Sequence, residues 1–248
     1  MSTIHKIRKK FHEGCANYGL LADGDRVLVA LSGGKDSLLL ARLLAERSRL
    51  YKPRFEVEAA HVVMDNIPYE TERSYLEQYC NQQGIKLHIL HSSFDDSEAE
   101  AEGLKAGDRR RRKTKCFLCA WNRRKTLFSF ATEQGFNKVA LGHHQDDILT
   151  TWLMNVTFEG ANDTMRPEVP MRHYPLSIIR PLCLVHEDWI REVAETEGFE
   201  HQKTPCPYET VTRRTDMNRI FHELQQLNPE ARYSLWRALE SSILSPQK

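Results

Sequence analysis

No stretch of the chain approaches the roughly 18 consecutive apolar residues that a membrane-crossing helix needs, which excludes a transmembrane segment on length. Net charge is almost absent too. With 35 Lys and Arg against 34 Asp and Glu, the balance of +1 names no partner for the chain as a whole. Cysteine is sparse: six irregularly spaced thiols in 248 residues form no disulfide framework. They fit a reducing cytoplasm, where thiols serve metals or chemistry. The start of the chain, Ile4 to Phe11, is basic through Lys6, Arg8, Lys9 and Lys10 but lacks the apolar core of a signal peptide, so it is read as a helix. Internal repeats and low-complexity tracts are missing. So is the P-loop pattern G-x-x-x-x-G-K-[ST], because Val29 stands where its first Gly belongs and Asp36 follows the Lys. No G-x-G-x-x-G occurs at that turn either.

What is present at that turn is Arg26 to Ser37, reading Arg-Val-Leu-Val-Ala-Leu-Ser-Gly-Gly-Lys-Asp-Ser. The apolar run Val27 to Leu31 suits a strand buried in a parallel sheet, and Leu38 to Leu44 begins an apolar-rich helix. Ser32, Gly33 and Gly34 between them permit a tight turn and a close backbone approach. Successive N–H groups and the positive end of the helix dipole can then face an anion. Lys35 adds a full charge, and the Ser32 and Ser37 hydroxyls add donors. The string Ser-Gly-Gly-Lys-Asp-Ser resembles the PP-loop of the ATP pyrophosphatases. That resemblance implies cleavage of ATP to AMP and pyrophosphate, with adenylation of an oxygen on the substrate.

Hydrophobic residues make up 40% of the chain, enough for a sizeable core. Strands are expected near Arg26 to Leu31, Val57 to Met64, Lys86 to Leu90 and Lys138 to Leu141, with a short one at Leu176 to Ile179. Helical patterns cover Asp36 to Ser48, Tyr69 to Gln82, Cys116 to Glu133 and Asp147 to Phe158. Others lie near His186 to Glu197, Thr215 to Leu227 and Pro229 to Ile243. This alternation calls for an α/β fold with a parallel sheet covered on both faces. The expected organisation is an N-terminal helical segment (1–23), an α/β ATPase domain (24–183) and a helical C-terminal region (184–248).

In open parallel sheets, ligands sit beyond the carboxyl ends of the strands. Asp65 follows the second strand and could meet a ribose or adenine edge, or simply begin a turn. After the fourth strand comes Gly142-His143-His144-Gln145-Asp146-Asp147. Two imidazoles and two carboxylates there could bind Mg²⁺ and steer a triphosphate. An acid-rich helix N-terminus accounts for the two carboxylates equally simply.

Cys116-Phe117-Leu118-Cys119 opens a helix, and two thiols at this spacing can grip one metal or cluster face. No second Cys-x-x-Cys occurs. Cys80 and Cys183 stand in apolar surroundings as core candidates, and Cys15 lies on the N-terminal helix. Cys206, fixed between Pro205 and Pro207, stands out among the remaining candidates, and three thiolates, two paired and one distant, would leave one iron of a cubane cluster open.

The PP-loop, Cys116-x-x-Cys119 followed by Arg123 and Arg124, the Gly142-His-His-x-Asp-Asp string, Ile179-Arg-Pro-Leu and late Cys206 together resemble the tRNA 2-thiocytidine synthetase family, over about Tyr18 to Arg219. The resemblance implies a HUP-type α/β core that binds ATP and Mg²⁺. It carries ATP onto Ser32, Gly33, Gly34, Lys35, Asp36, Ser37, Asp65, Gly142 and His143. Lys35, Asp36 and Asp147 take the catalytic roles. It puts a [4Fe-4S] cluster on Cys116, Cys119 and Cys206. The implied substrate is a cytidine of the tRNA anticodon loop, and the implied partner a sulfur donor such as a cysteine desulfurase; family members are often dimers. The family usually carries a second Cys-x-x-Cys around the third ligand, whereas Pro207, Tyr208 and Glu209 follow Cys206 here. A PP-loop ligase or amidating enzyme, with zinc or no metal, is the alternative.

Local charge adds a separate signal. Leu104 to Lys125 holds ten Lys or Arg against one acid, Asp108, whereas Phe94 to Gly103 holds five acids and no base. Arg109, Arg110, Arg111, Arg112, Arg123 and Arg124 are the candidates for tRNA phosphates. A solvated loop with two self-pairing halves explains the same charges. Phe117, Trp121 and Tyr208 could stack an extruded base, although helical spacing fits Phe117 and Trp121 equally to a core.

Overall fold

The computed structural model describes residues 2–67, 72–95, 115–200 and 213–244. Six strands form one sheet in the order β3-β2-β1-β4-β6-β5. The central strand, β1 (Arg26–Ala30), pairs in parallel with β2 (Glu56–Met64) on one side and β4 (Lys138–Ala140) on the other, with Val29 beside Ala59 in one register and Ala140 in the other. The sheet extends in parallel to β3 (Lys86–Ser92) and β6 (Ser177–Ile179). The last strand, β5 (Glu168–Pro170), is antiparallel to β6, and it falls in the Pro-punctuated stretch for which only the Leu176 to Ile179 strand was expected. Three residues ending in proline give no period-2 signal, and an edge is where a strand tolerates a missing N–H donor.

Eight α-helices are described: α1 (Thr3–Asn17), α2 (Lys35–Ser48), α3 (Arg73–Gln83), α4 (Lys115–Glu133), α5 (Gln145–Met154), α6 (Glu187–Thr196), α7 (Arg213–Leu227) and α8 (Ala231–Leu239). The expected long helix Asp147 to Phe158 instead begins two residues earlier and ends in a π-helical turn, Asn155–Glu159. A similar turn, Glu240–Leu244, follows α8.

Helix α2 is buried nearly all round. Leu38, Leu39, Leu40, Leu43 and Leu44 are at most 1% exposed, because the sheet covers one side and α3 and α6 the other. Each such leucine contributes about 2 kcal/mol relative to exposure. This core also takes in Ile7 and Phe11 of α1 and Ile190 and Val193 of α6. A second cluster lies under α4, where Leu118, Leu127 and Phe128 meet Leu28, Val139 and Ile178. A third joins α5 to the C-terminal helices through Ile148, Leu149, Phe221, Trp236 and Leu239. The result is a fixed α2 whose first turn stands at the carboxyl edge of β1.

Candidate nucleotide and cluster site

The turn between β1 and α2 is held by its own side chains. Gly33 has φ +89°, a conformation that only glycine adopts readily. Ser37 Oγ accepts from the Ser32 amide at 3.2 Å and donates to the Gly34 carbonyl at 2.9 Å, so the loop is closed before any ligand arrives. Lys35 lies along this turn, with Nζ 3.1 Å from Asp36 and 3.3 Å from Glu187. Burial opposes its charge, but Asp36 and Glu187 outweigh that, and its pKa is raised. Lys35 is therefore a full cation across the neutral range.

The strand end at Gly142 meets this turn directly. A Cβ there would lie 3.1 Å from both the Asp36 carbonyl carbon and the Ser37 nitrogen. Both neighbours are backbone, so a side chain at 142 would push the two loops apart by a few tenths of an ångström. Beyond Gly142, Asp147 accepts from the His144 amide at 3.0 Å, which caps α5, and also pairs with Arg214 of α7. His144 Nε2 lies 3.4 Å from Asp147 and 3.9 Å from Asp36, and its Nδ1 lies 3.8 Å from Asp146, so three carboxylates surround one imidazole. Asp146 has its hydrogen bonds elsewhere. It forms a forked pair with Arg232 of α8 and accepts from the Glu187 amide at 2.9 Å. Burial alone would raise its pKa; the Arg232 hydrogen bonds and charge reverse this and hold it low.

His143 stands beside Arg180, whose Nε lies 3.4 Å from Nδ1. Burial, followed by the Arg180 charge, lowers the imidazole to about 4, so His143 is neutral at physiological pH. Asp65 sits at the carboxyl end of β2 but is half exposed and pairs with His91 at 2.7 Å. Gly142, His144, Asp36 and Asp147 thus come together with the PP-loop, whereas Asp65 faces outward and Asp146 serves the C-terminal helices.

A cavity of about 150 Å³ opens beside Ser32, between the ends of β1 and β2 and helix α4, with His61, Leu127, Arg123 and Arg124 in its lining. His61 is 2% exposed, its Nδ1 is 2.7 Å from the Leu31 carbonyl, and its Nε2 has no hydrogen-bond partner. A buried, unsatisfied nitrogen beside a preformed phosphate turn suits a polar, ring-bearing ligand. Mg²⁺ needs one or two carboxylates and leaves its other positions to phosphate and water. Asp36 and Asp147 fit that requirement.

The thiols divide as their surroundings require. Burial pushes Cys15 up to about 12 and Cys80 up to about 11, and raises Cys183 as well, which keeps all three protonated. Cys116 is exposed and Cys119 half-buried, one turn apart at the start of α4. They place two thiols at the start of one helix. No group of three His, Cys, Asp or Glu that could hold a metal gathers among the described residues, and Cys206 lies outside them, as do Arg109 to Arg112 and Tyr208.

Glu187, Arg180, Arg214, Arg232 and His61 were not singled out as site residues. Arg180 stands in the quoted segment Ile179-Arg-Pro-Leu, and Arg214 lies eight residues after Cys206. Glu187, Arg232 and His61 left no local signal, because their roles come from contacts across the fold.

A family model described as a PP-loop domain matches residues 3–227. The tRNA-cytidine(32) 2-sulfurtransferase of Geobacter sulfurreducens is 33% identical over 236 residues, covering 94% of this chain and 88% of that protein. The chain belongs to the PP-loop family, in its tRNA 2-thiocytidine synthetase branch. The protein of the same name from Bdellovibrio bacteriovorus is 34% identical over 78% of the chain and 71% of its own length. Among solved structures, the U34-tRNA thiolase NcsA from Methanococcus maripaludis with its [4Fe-4S] cluster superposes with a TM-score of 0.74 at 26% identity, covering 99% of this PP-loop protein and 81% of the thiolase. Helix α8, which supplies Arg232, lies beyond the residues matched by the PP-loop model. No described helix is long and apolar enough to cross a membrane.

Proposed function

We propose that this PP-loop protein is an ATP-dependent tRNA-cytidine sulfurtransferase. The observation that carries the reading is the meeting of two elements at one sheet edge. A PP-loop whose turn is already closed lies across a cavity from α4, and that helix begins with Cys116 and Cys119.

The chemistry needs both. Oxide is a poor leaving group from a pyrimidine C2, and adenylation converts it to AMP, a good one. The oxygen attacks the α-phosphorus of ATP and pyrophosphate departs. The amide donors of the Ser32 to Lys35 turn and the Lys35 ammonium stabilise the charge that develops there. Asp36 and Asp147 would hold Mg²⁺, which neutralises phosphate charge. Neutral His143 can accept or donate one hydrogen bond without adding a charge. Cys116, Cys119 and Cys206 would hold a [4Fe-4S] cluster, which supplies an open iron for sulfur handling when bound. Sulfur from a donor such as a cysteine desulfurase, brought from persulfide to sulfide level by two electrons from a thiol reductant that is oxidised to its disulfide, enters at C2, and AMP leaves with the former carbonyl oxygen. The C-terminal region 184–248 would bring the third cysteine to the ATPase core.

The test is mass spectrometry of nucleosides in bulk tRNA from a strain lacking this gene and from its parent. Loss of 2-thiocytidine is the expected result. Loss of a different thionucleoside would keep the chemistry and change the substrate. If every thionucleoside persisted, the reading would fail, and an ATP-dependent amidation would be sought instead.

A further inference from the structure

Helix α4 runs antiparallel to the strands it covers, so its first turns lie at the carboxyl edge of the sheet, where the PP-loop is. Positions 117, 121, 124, 128 and 131 share one helical face, since steps of three and four residues return to the same side. At the far end of this face Phe128 is 5% exposed and Ala131 fully buried against the core. At the near end the face continues past the sheet, and Phe117 is 50% and Trp121 58% exposed. Their rings are nearly parallel, 11° between planes, with centroids 6.4 Å apart. A helical face that buries its apolar side chains at one end and offers two aligned aromatic rings at the other is not completing a core there.

The flanking charges indicate what those rings would receive. Arg124 and Lys125 are exposed one turn further on. Arg124 also lines the cavity beside Ser32. Exposed aromatic rings next to cations suit a ligand with a flat π-face and a negative backbone, which describes an unpaired nucleotide in RNA. Building on the sulfurtransferase reading, we propose that Phe117 and Trp121 form a base-stacking platform for an unpaired nucleotide of the anticodon loop, with Arg124 and Lys125 on its phosphates. The platform would hold the loop open next to the cavity in which the target base is adenylated. Phe117 and Trp121 are then positioning residues, since they grip the RNA and touch no reacting atom.

The experiment measures binding of a fluorescein-labelled anticodon stem-loop RNA by anisotropy, with a fully paired duplex of the same stem as control and the cluster absorbance as a check on folding. Trp121→Ala should weaken stem-loop binding roughly 5- to 100-fold, the usual loss for one base–aromatic stack. It should leave the duplex, held through phosphates, nearly unchanged. Trp121→Phe should restore most of the affinity, because it keeps a π-face. Parental affinity of Trp121→Ala for the stem-loop would overturn the platform, and so would an equal loss on stem-loop and duplex. Intact stem-loop binding combined with lost sulfur transfer from a cysteine desulfurase would also overturn it, reassigning the rings to a protein partner. If the unaltered protein bound neither RNA, the sulfurtransferase reading itself would fall, and the platform with it.

Discussion

Replacing Arg232 by methionine tests how strongly the C-terminal helices are tied to the site. Arg232 is 4% exposed and Asp146 9%. Its Nη1 and Nη2 donate to the two Asp146 oxygens at 2.8 and 2.6 Å, Nε donates to Gln225 at 3.2 Å, and the guanidinium lies 5.2 Å from the Phe221 ring. Arg232→Met keeps the apolar stem but removes both guanidinium donors from the buried Asp146 carboxylate, which keeps the Glu187 amide. Removing one partner of a buried pair costs about 3–5 kcal/mol. At roughly 2–4 °C per kcal/mol for a chain of this size, Tm should fall by about 6–20 °C. Asp146→Asn combined with Arg232→Met removes the stranded charge, and the pair should together cost markedly less than the sum of the single changes. The folded-state pKa of Asp146 is depressed, so the stability it brings is present above the ordinary aspartate value near ~3.9 and lost as pH falls through the folded value. The gap between parent and Arg232→Met should therefore close in acid. The assay is urea unfolding of the three variants at pH 7 and in acid. A loss below about 1 kcal/mol, or strict additivity, would refute the view of Asp146–Arg232 as a buried tether.

Gly142→Ala should fold, yet displace the PP-loop by a few tenths of an ångström and slow ATP-dependent AMP formation roughly tenfold; an unchanged rate in a pyrophosphate-release assay would count against that close contact. Lys35→Ala should lose adenylation with the cluster absorbance intact, whereas Cys116→Ala and Cys119→Ala should lose the absorbance near ~400 nm while ATP still binds; full thiolation by either cysteine variant would sink the cluster assignment. His186 is stacked on Trp189 at 4.0 Å, and burial, then Arg232, lowers its pKa to about 4. The unfolded chain takes up a proton near ~6.5 and the folded chain does not, so stability is full above that value and falls as pH drops towards 4. Allowing for its partial exposure, His186→Gln should remove about 1 kcal/mol of the stability difference between pH 7 and pH 5, measured by urea unfolding.

Much of this molecule could be read without coordinates because the deciding physics is local. A short apolar run, two glycines, a lysine and an apolar helix specify a strand, a phosphate turn and a helix N-terminus within a dozen residues, and β1, Gly33 and α2 form as that pattern requires. The cysteines at 116 and 119 declare themselves by spacing, and the apolar settings of Cys80 and Cys183 matched their burial. Other decisions were left to tertiary structure. Asp146 and Asp147 are neighbours of one type, yet Asp146 pairs in the interior with Arg232 of α8, 86 residues away in sequence, and Asp147 with Arg214 of α7, 67 residues away, since consecutive helical residues point in different directions. Phe117 and Trp121 fitted a core and a binding surface equally by spacing. Only the point at which α4 runs past the sheet edge took them out of the core, because the same helical face is buried where another layer covers it and exposed where that layer ends.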